Sequence, residues 1–164
     1  MKHMESSSLI HSQNIVTPSG EHTQRNRRPL VLVIEDDQDN LLLLYHLVTS
    51  LGCDVLLARE GQAGLAMVKD TLPDLILLDI VMPHLSGFDI LRRLKQLPQA
   101  RSVAVVAVTG LATSEEKQKL LEAGCCDYVC KPYLIDVLES LICKYASIQS
   151  PPQFTKPTRL PASA

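Results

Sequence analysis

Leu75-Ile76-Leu77-Leu78-Asp79-Ile80-Val81-Met82-Pro83 is the stretch whose reading decides the fold. Four consecutive large aliphatic residues, with no polar alternation, run into a single aspartate, and a proline follows four residues later. That pattern predicts a strand buried on both faces that delivers one carboxylate to its C-terminal end. In an open parallel α/β sheet the ligand crevice lies outside the carboxyl ends of the strands, so an aspartate held there is placed for chemistry.

Outward from this stretch the same grammar repeats. Leu30 to Ile34 is a continuous aliphatic run ending in Glu35-Asp36-Asp37, and Val103 to Val108 is another, ending in Thr109-Gly110. Asp54 to Ala58 and Tyr128-Val129-Cys130 are shorter strands, the latter ending in Lys131-Pro132. Between them lie segments of helical spacing. The first runs from about Gln38 to Leu51, with Leu41, Leu44, Tyr45, Val48 and Leu51 inward and Gly52 as its stop; Asp37 is a candidate N-cap. The second, Gly61 to Lys69, turns Leu65, Ala66 and Val68 inward. The third follows a Pro83 to Gly87 loop and covers Asp89 to Leu97, with Ile90, Leu91 and Leu94 inward. The fourth begins near Thr113 or Ser114, where a hydroxyl is followed by Glu115 and Glu116, and has few anchors: Leu120, Leu121 and Ala123. The fifth runs from about Leu134 to Tyr145 on Ile135, Leu138, Leu141, Ile142 and Tyr145. Five strands alternating with five helices imply a parallel sheet covered on both faces, joined by right-handed crossovers.

A chain of 164 residues accommodates one domain plus tails. Residues 29–145 form the expected domain, and the polar 1–28 and Pro-rich 146–164 are expected to be disordered. With 46% apolar residues and only six aromatics, the core must be aliphatic. No apolar run approaches the roughly 18 residues needed to span a bilayer, and no apolar block with a cleavage site opens the chain. A soluble cytoplasmic protein without membrane insertion is therefore expected. Residues 29–145 carry 16 acids and 10 bases, whereas the two ends carry 6 bases and 2 acids. The acidic domain argues against direct nucleic-acid binding, and Arg25, Arg27 and Arg28 read as a solvated linker. Cys53, Cys125, Cys126, Cys130 and Cys143 form no CxxC pair and read as reduced thiols without a metal.

If the sheet is parallel, Glu35, Asp36, Asp79, Thr109 and Lys131 converge at one edge. Carboxylates gathered without compensation repel strongly in a partly desolvated cleft, and a hard divalent cation on oxygen ligands relieves them. Mg²⁺ suits such a site because it keeps several waters and favours phosphate oxygens. With the acids offset, Asp79 can attack phosphorus, Lys131 can neutralise phosphoryl oxygens and the Thr109 hydroxyl can donate to one.

Four pieces, in order and each at a strand end, carry a family resemblance: Val33-Ile34-Glu35-Asp36-Asp37; Leu77 to Pro83 with Gly87 four on; Val106-Ala107-Val108-Thr109-Gly110; and Asp127 to Pro132. From about Pro29 to Tyr145 the chain resembles the CheY-like receiver domain of two-component response regulators. The resemblance implies a flavodoxin-like (βα)5 three-layer sandwich with strand order 2-1-3-4-5. It implies Asp79 as phosphoacceptor, with Glu35, Asp36 and the Val81 carbonyl as further metal ligands beside it. Thr109 and Lys131 would contact the phosphoryl group, Lys131-Pro132 would be cis, and Tyr128 would be the aromatic whose rotamer follows Thr109. Glu35 departs from the Asp of many relatives, and its longer side chain would reach the metal through water. The implied cofactor is Mg²⁺, and the implied donor is a histidine kinase or histidine phosphotransfer protein.

Three other readings compete. A flavodoxin-type binder would need phosphate donors after the first strand, where Glu35-Asp36-Asp37 stands instead. A dehalogenase-like phosphatase would carry its nucleophile after the first strand, with a second Asp at the place Val81 takes. A receiver-shaped interaction module working without phosphorylation is disfavoured by Asp36, Asp79, Thr109 and Lys131 all being present. Only nineteen residues follow Tyr145, too few for a helix-turn-helix domain, so the expectation is a stand-alone receiver whose output is protein contact. Phosphorylation would shift the loosely anchored fourth helix. Leu42 and Leu43 on the first helix read either as a partner surface or as a crowded helix–sheet interface.

Overall fold

A computed structural model describes residues 27–110 and 113–148. Its elements follow in the order β1 (Leu30–Ile34), α1 (Gln38–Ser50), β2 (Asp54–Ala58), α2 (Gly61–Asp70), β3 (Leu75–Asp79), α3 (Gly87–Gln96), β4 (Ala104–Thr109), α4 (Ser114–Glu122), β5 (Asp127–Cys130) and α5 (Ile135–Tyr145). All neighbouring strands are parallel, in the order β2-β1-β3-β4-β5. This is the parallel sheet covered on both faces that the alternation implied, in the flavodoxin-like three-layer arrangement and strand order that the resemblance implied.

The lack of polar alternation in β1, β3 and β4 has its reason in the two cores. Successive side chains point to opposite faces, so each strand feeds both layers. Leu32, Ile34, Ile76, Leu78, Val105 and Ala107 meet Leu65 and Val68 of α2, Ile90, Leu91 and Leu94 of α3, and Leu120 of α4. On the other face, Val31, Val33, Leu75, Leu77, Val106 and Val108 meet Leu41, Leu44, Leu47 and Val48 of α1 and Leu138 and Ile142 of α5. Each leucine buried here contributes about 1.5–3 kcal/mol. A slip of one residue would exchange the side chains of the two faces, so the register is set by how those side chains pack in each core.

The helices differ from their sequence reading in detail. Tyr45 is not inward; it is exposed, with its ring edge-on to His46, and Leu47 takes the buried place on that flank of α1. In α2, Ala66 is exposed and Gly64 is buried instead, so close to β1 that a Cβ there would come within 2.5 Å of Ile34 Cδ1. Leu121 and Ile135 are exposed rather than inward, while Leu120 and Leu138 are fully enclosed. Leu42 and Leu43 are exposed, 54% and 43%, so they do not crowd the helix–sheet interface. Asp37 does cap α1, its Oδ1 accepting from the Asn40 N–H at 2.9 Å. Thr113 caps α4 in a full capping box with Glu116.

At the domain's edges, Arg27 pairs with Asp74 at 2.7 Å and Arg28 approaches Asp54 at 3.9 Å, so these two arginines lie against the domain. Arg25 and most of 1–28 and 146–164, the expected disordered flanks, fall outside the described residues. Among the described residues no helix is long and apolar enough to cross a membrane.

The loop after β3 turns back tightly. The Gly87 N–H donates to the Ile80 carbonyl at 3.1 Å, and a Cβ on Gly87 would sit 2.4 Å from Ile80 Cα and 2.6 Å from the Asp79 oxygen. The α3 helix accordingly starts at Gly87, capped by Ser86, two residues earlier than the spacing alone suggested. The cysteines are all free thiols. Burial pushes the Cys53 thiol up to about 11, and Cys125 is enclosed with its S–H near the carbonyls of Asp127 and Val105.

Two outcomes are expected. Gly87→Ala forces backbone against backbone and should lower stability by about 1–3 kcal/mol, read as a depressed urea midpoint; an unchanged midpoint would refute the close approach. Alkylation of the native protein at pH 8 should modify exposed Cys126 while sparing Cys53, Cys125 and Cys143 until unfolding. Equal labelling of all four would contradict the burial of the other three.

Candidate functional site

Parallel pairing brings the C-terminal ends of all the strands to one edge of the sheet. Glu35 follows β1 directly, Asp79 is the last residue of β3, Thr109 the last of β4, and Lys131 follows β5. Val108 lies opposite Asp79 and Cys130 opposite Thr109, so the register sets these ends side by side. The backbone N–H of Lys131 donates to the Thr109 carbonyl at 2.7 Å, which carries the β4–β5 pairing on to the residue whose side chain matters.

That side chain crosses toward β1. Lys131 Nζ donates to Asp79 Oδ2 at 2.6 Å and to Glu35 Oε2 at 2.7 Å. Both carboxylates are almost wholly enclosed, with side-chain exposures of 1% for Glu35 and 5% for Asp79, whereas Lys131 is 23% exposed. Asp79 Oδ1 accepts the Val81 N–H at 2.8 Å, and Glu35 Oε1 accepts the Asp37 N–H at 3.2 Å. Asp79 is thus held at both oxygens, one by backbone and one by a cation. Asp36 completes the group: Glu35, Asp36 and Asp79 offer carboxylate oxygens that all lie within 4.8 Å of one another.

Electrostatics follow from this crowding. Burial raises the Glu35 pKa above the usual carboxylate value, with the Asp79 charge adding to it, and the Lys131 hydrogen bond only partly offsets the shift. For Lys131, burial alone would lower the pKa, but the hydrogen bonds and charges of Asp79 and Glu35 outweigh it and hold the ammonium protonated above its ordinary range. With all groups ionised, three carboxylates gather within reach of one ammonium, so the cluster is acidic. The donor set is hard oxygen throughout, and the residues fit Mg²⁺.

The structure therefore brings together Glu35, Asp36, Asp79 and Lys131. Val81 joins through its backbone N–H, while its side chain is 57% exposed beside the cluster. Thr109 is fully buried at the end of the neighbouring strand. Tyr128 is half-buried, one strand position before Val129, and Lys117 of α4 stands over its ring at 5.4 Å. The Lys131-Pro132 peptide is cis, as expected. Arg59, which the sequence reading passed over, places Nη2 3.3 Å from the Asp36 carbonyl. Its signal was positional: it follows β2 directly, at the same sheet edge as the acids.

Residues 31–142 match the family model described as the response regulator receiver domain. The response regulator PleD of Caulobacter vibrioides is 38% identical over 102 residues, a match covering 62% of this chain but 22% of PleD. The polar-differentiation response regulator DivK of Brucella anthropi is 32% identical over 102 residues, covering 62% of this chain and 83% of DivK. Among solved structures, the receiver domain of the sensor histidine kinase PA1611 from Pseudomonas aeruginosa, with a magnesium ion coordinated in its active-site cleft, superposes with a TM-score of 0.68 at 26% identity. That alignment covers 73% of this chain and 98% of that one. The family model spans most of the domain, and the sheet order and the acidic edge agree with it: this chain belongs to the response regulator receiver domain family.

Proposed function

We propose that residues 29–145 act as a phosphorylation-dependent switch, with Asp79 accepting a phosphoryl group from a histidine kinase or histidine phosphotransfer protein. The observation that carries this reading is the Asp79 carboxylate, enclosed and fixed by the Val81 N–H at Oδ1 and by Lys131 at Oδ2. A nucleophile held in this way loses little freedom on reaching the transition state.

Glu35, Asp36, Asp79 and the Val81 carbonyl would hold Mg²⁺, which when bound supplies positive charge to the acids and to the incoming phosphoryl oxygens. The chain's own residues do the rest. A carboxylate oxygen of Asp79 attacks phosphorus in line with the donor's histidine nitrogen; the O–P bond forms as the N–P bond breaks, and the electron pair leaves with the imidazole. Lys131 follows the charge from the carboxylate onto the phosphoryl oxygens. Thr109, at the end of β4, donates its hydroxyl to another of them. The domain catalyses only its own phosphorylation and hydrolysis, so it is a signalling phosphoacceptor rather than an enzyme with a diffusible product.

The output follows from where the weakly held parts lie. Drawing Thr109 toward the phosphoryl group leaves room for Tyr128 to turn inward, and Lys117 couples that ring to α4. The surface of α4, β5 and α5, with Leu121 exposed on it, then changes shape for a protein partner. A histidine-kinase donor and a protein output place the action in the cytoplasm without direct DNA contact.

Acetyl phosphate should phosphorylate the wild type in the presence of Mg²⁺ and not in the presence of EDTA, and Asp79→Asn should abolish incorporation on a phosphate-affinity gel. A folded wild type that takes up no phosphate would instead favour a receiver-shaped module that works by contact alone. Amide exchange in α4, β5 and Tyr128 should change on phosphorylation, and protection there that is the same in both states would sink the switch while leaving the chemistry intact.

A further inference from the structure

Helices α2 and α3 pack side by side on one face of the sheet, so close at the start of α2 that a Cβ on Gly61 would meet the Ile90 side chain. Between them lies a cleft of about 350 Å³. Gln62, Leu65, Ala66 and Lys69 line it from α2, at a spacing that puts all four on one helix face, and Arg93, Gln96 and Leu97 line it from α3 in the same way. Leu65 is enclosed and Leu97 half-buried, which makes the floor apolar, whereas Gln62, Lys69, Arg93 and Gln96 stand exposed at the rim.

Charge sets this cleft apart. Residues 29–145 hold 16 acids against 10 bases, so a cation in this domain has acids in excess to pair with. Every other lysine and arginine among the described residues has a carboxylate, a carbonyl oxygen or an aromatic ring as its partner. Lys69 and Arg93 have none among the described residues, yet they line the same cleft, and no acid stands with them in its lining. Gln62 and Gln96 are likewise without a hydrogen-bond partner among the described residues. Four polar side chains around one apolar floor are thus free to serve a group from outside the domain.

We propose that the cleft between α2 and α3 is a docking site for a short acidic segment of a partner protein, in which two carboxylates flank one apolar side chain. Arg93 forks onto one carboxylate through paired N–H donors, and Lys69 meets the other as a point charge. The apolar side chain covers Leu65, Ala66 and Leu97. The two glutamine amides, which both donate and accept, serve the backbone of the segment. Gln62 and Lys69 stand two helical turns apart, about 10 Å, a length that an extended segment of about three residues spans. A lone small anion would engage the two cations and leave the floor uncovered, which is why a peptide fits better. The inference does not depend on phosphorylation of Asp79, and none of the lining residues belongs to α4, β5 or α5.

The test titrates the full chain with the peptide acetyl-Gly-Glu-Leu-Glu-Gly-amide up to millimolar concentration, followed by backbone and side-chain amide NMR signals. The signals of Gln62, Lys69, Arg93 and Gln96 should move together, and the isosteric peptide with Gln-Leu-Gln at its centre should leave them in place. Lys69→Glu combined with Arg93→Glu should weaken binding of the acidic peptide by at least about tenfold. The thermal midpoint should hold, because both side chains are exposed. The reversed chain should bind the peptide with Lys-Leu-Lys at its centre, a rescue that a merely structural role would not give. Cleft signals that stay in place with the acidic peptide, or equal binding of that peptide by the reversed chain, would overturn the inference. So would inorganic phosphate or a single-stranded oligothymidylate that moved the same signals at lower concentration than the peptide, by assigning the cleft to a small anion or to nucleic acid.

Discussion

One ammonium shared between two buried carboxylates is the constraint around which this domain is arranged. Charges at about 4 Å in the effective dielectric of a protein interact by about 4 kcal/mol, so neither Glu35 nor Asp79 sits easily where it does without Lys131. The contact joins residues 96 positions apart in sequence, and it forms only if β1, β3, β4 and β5 are stacked in that spatial order. Sheet order, register and the Lys131–Thr109 backbone bond all serve to deliver that one nitrogen to those two oxygens. Removing Lys131 would leave two enclosed acids, which is why the site and the sheet edge cannot be varied independently.

The two aliphatic cores supply the rigidity that such placement needs. Strands β1 and β3 are closed to solvent on both faces, so Glu35 and Asp79 emerge from the most enclosed part of the sheet. The loop that follows is pinned against Ile80 by Gly87, which keeps the Val81 N–H aimed at Asp79. The candidate site thus lies at the point where an enclosed strand passes into a tightly folded turn, the usual place for a ligand crevice in open α/β sheets.

Much of this was legible in the sequence, and the reasons differ by element. Continuous aliphatic runs such as Leu75 to Leu78 announce doubly buried strands because a strand of that kind has no solvent face to mark with polar residues. The acids could be grouped because each follows such a run, and Lys131 because it follows the short strand β5 in the same strand–helix alternation. Helix faces were harder. Tyr45 and Leu47 both flank the Leu41–Leu44–Val48 stripe of α1, and spacing cannot say which flank meets the sheet; the packing of α1 against β1 and β2 chose Leu47. Ala66 lost its place to Gly64 because α2 approaches Ile34 too closely for a side chain, a fact about distance that periodicity does not carry.

Helix α4 keeps its side-chain polar bonds largely within itself. Thr113 with Glu116, Glu115 with Lys119 at 2.7 Å, and Gln118 with Glu122 at 3.0 Å are all partnerships inside its own length. Such bonds travel with the helix and are not broken when it is displaced. What ties the body of α4 to the sheet is chiefly Leu120, the single wholly enclosed residue among its nine. Burying one leucine contributes about 1.5–3 kcal/mol, which is little to hold a helix of this length in place. Of the five helices, α4 is thus the one seated on the sheet by the fewest enclosed apolar side chains, and its polar bonds add almost nothing to that seat.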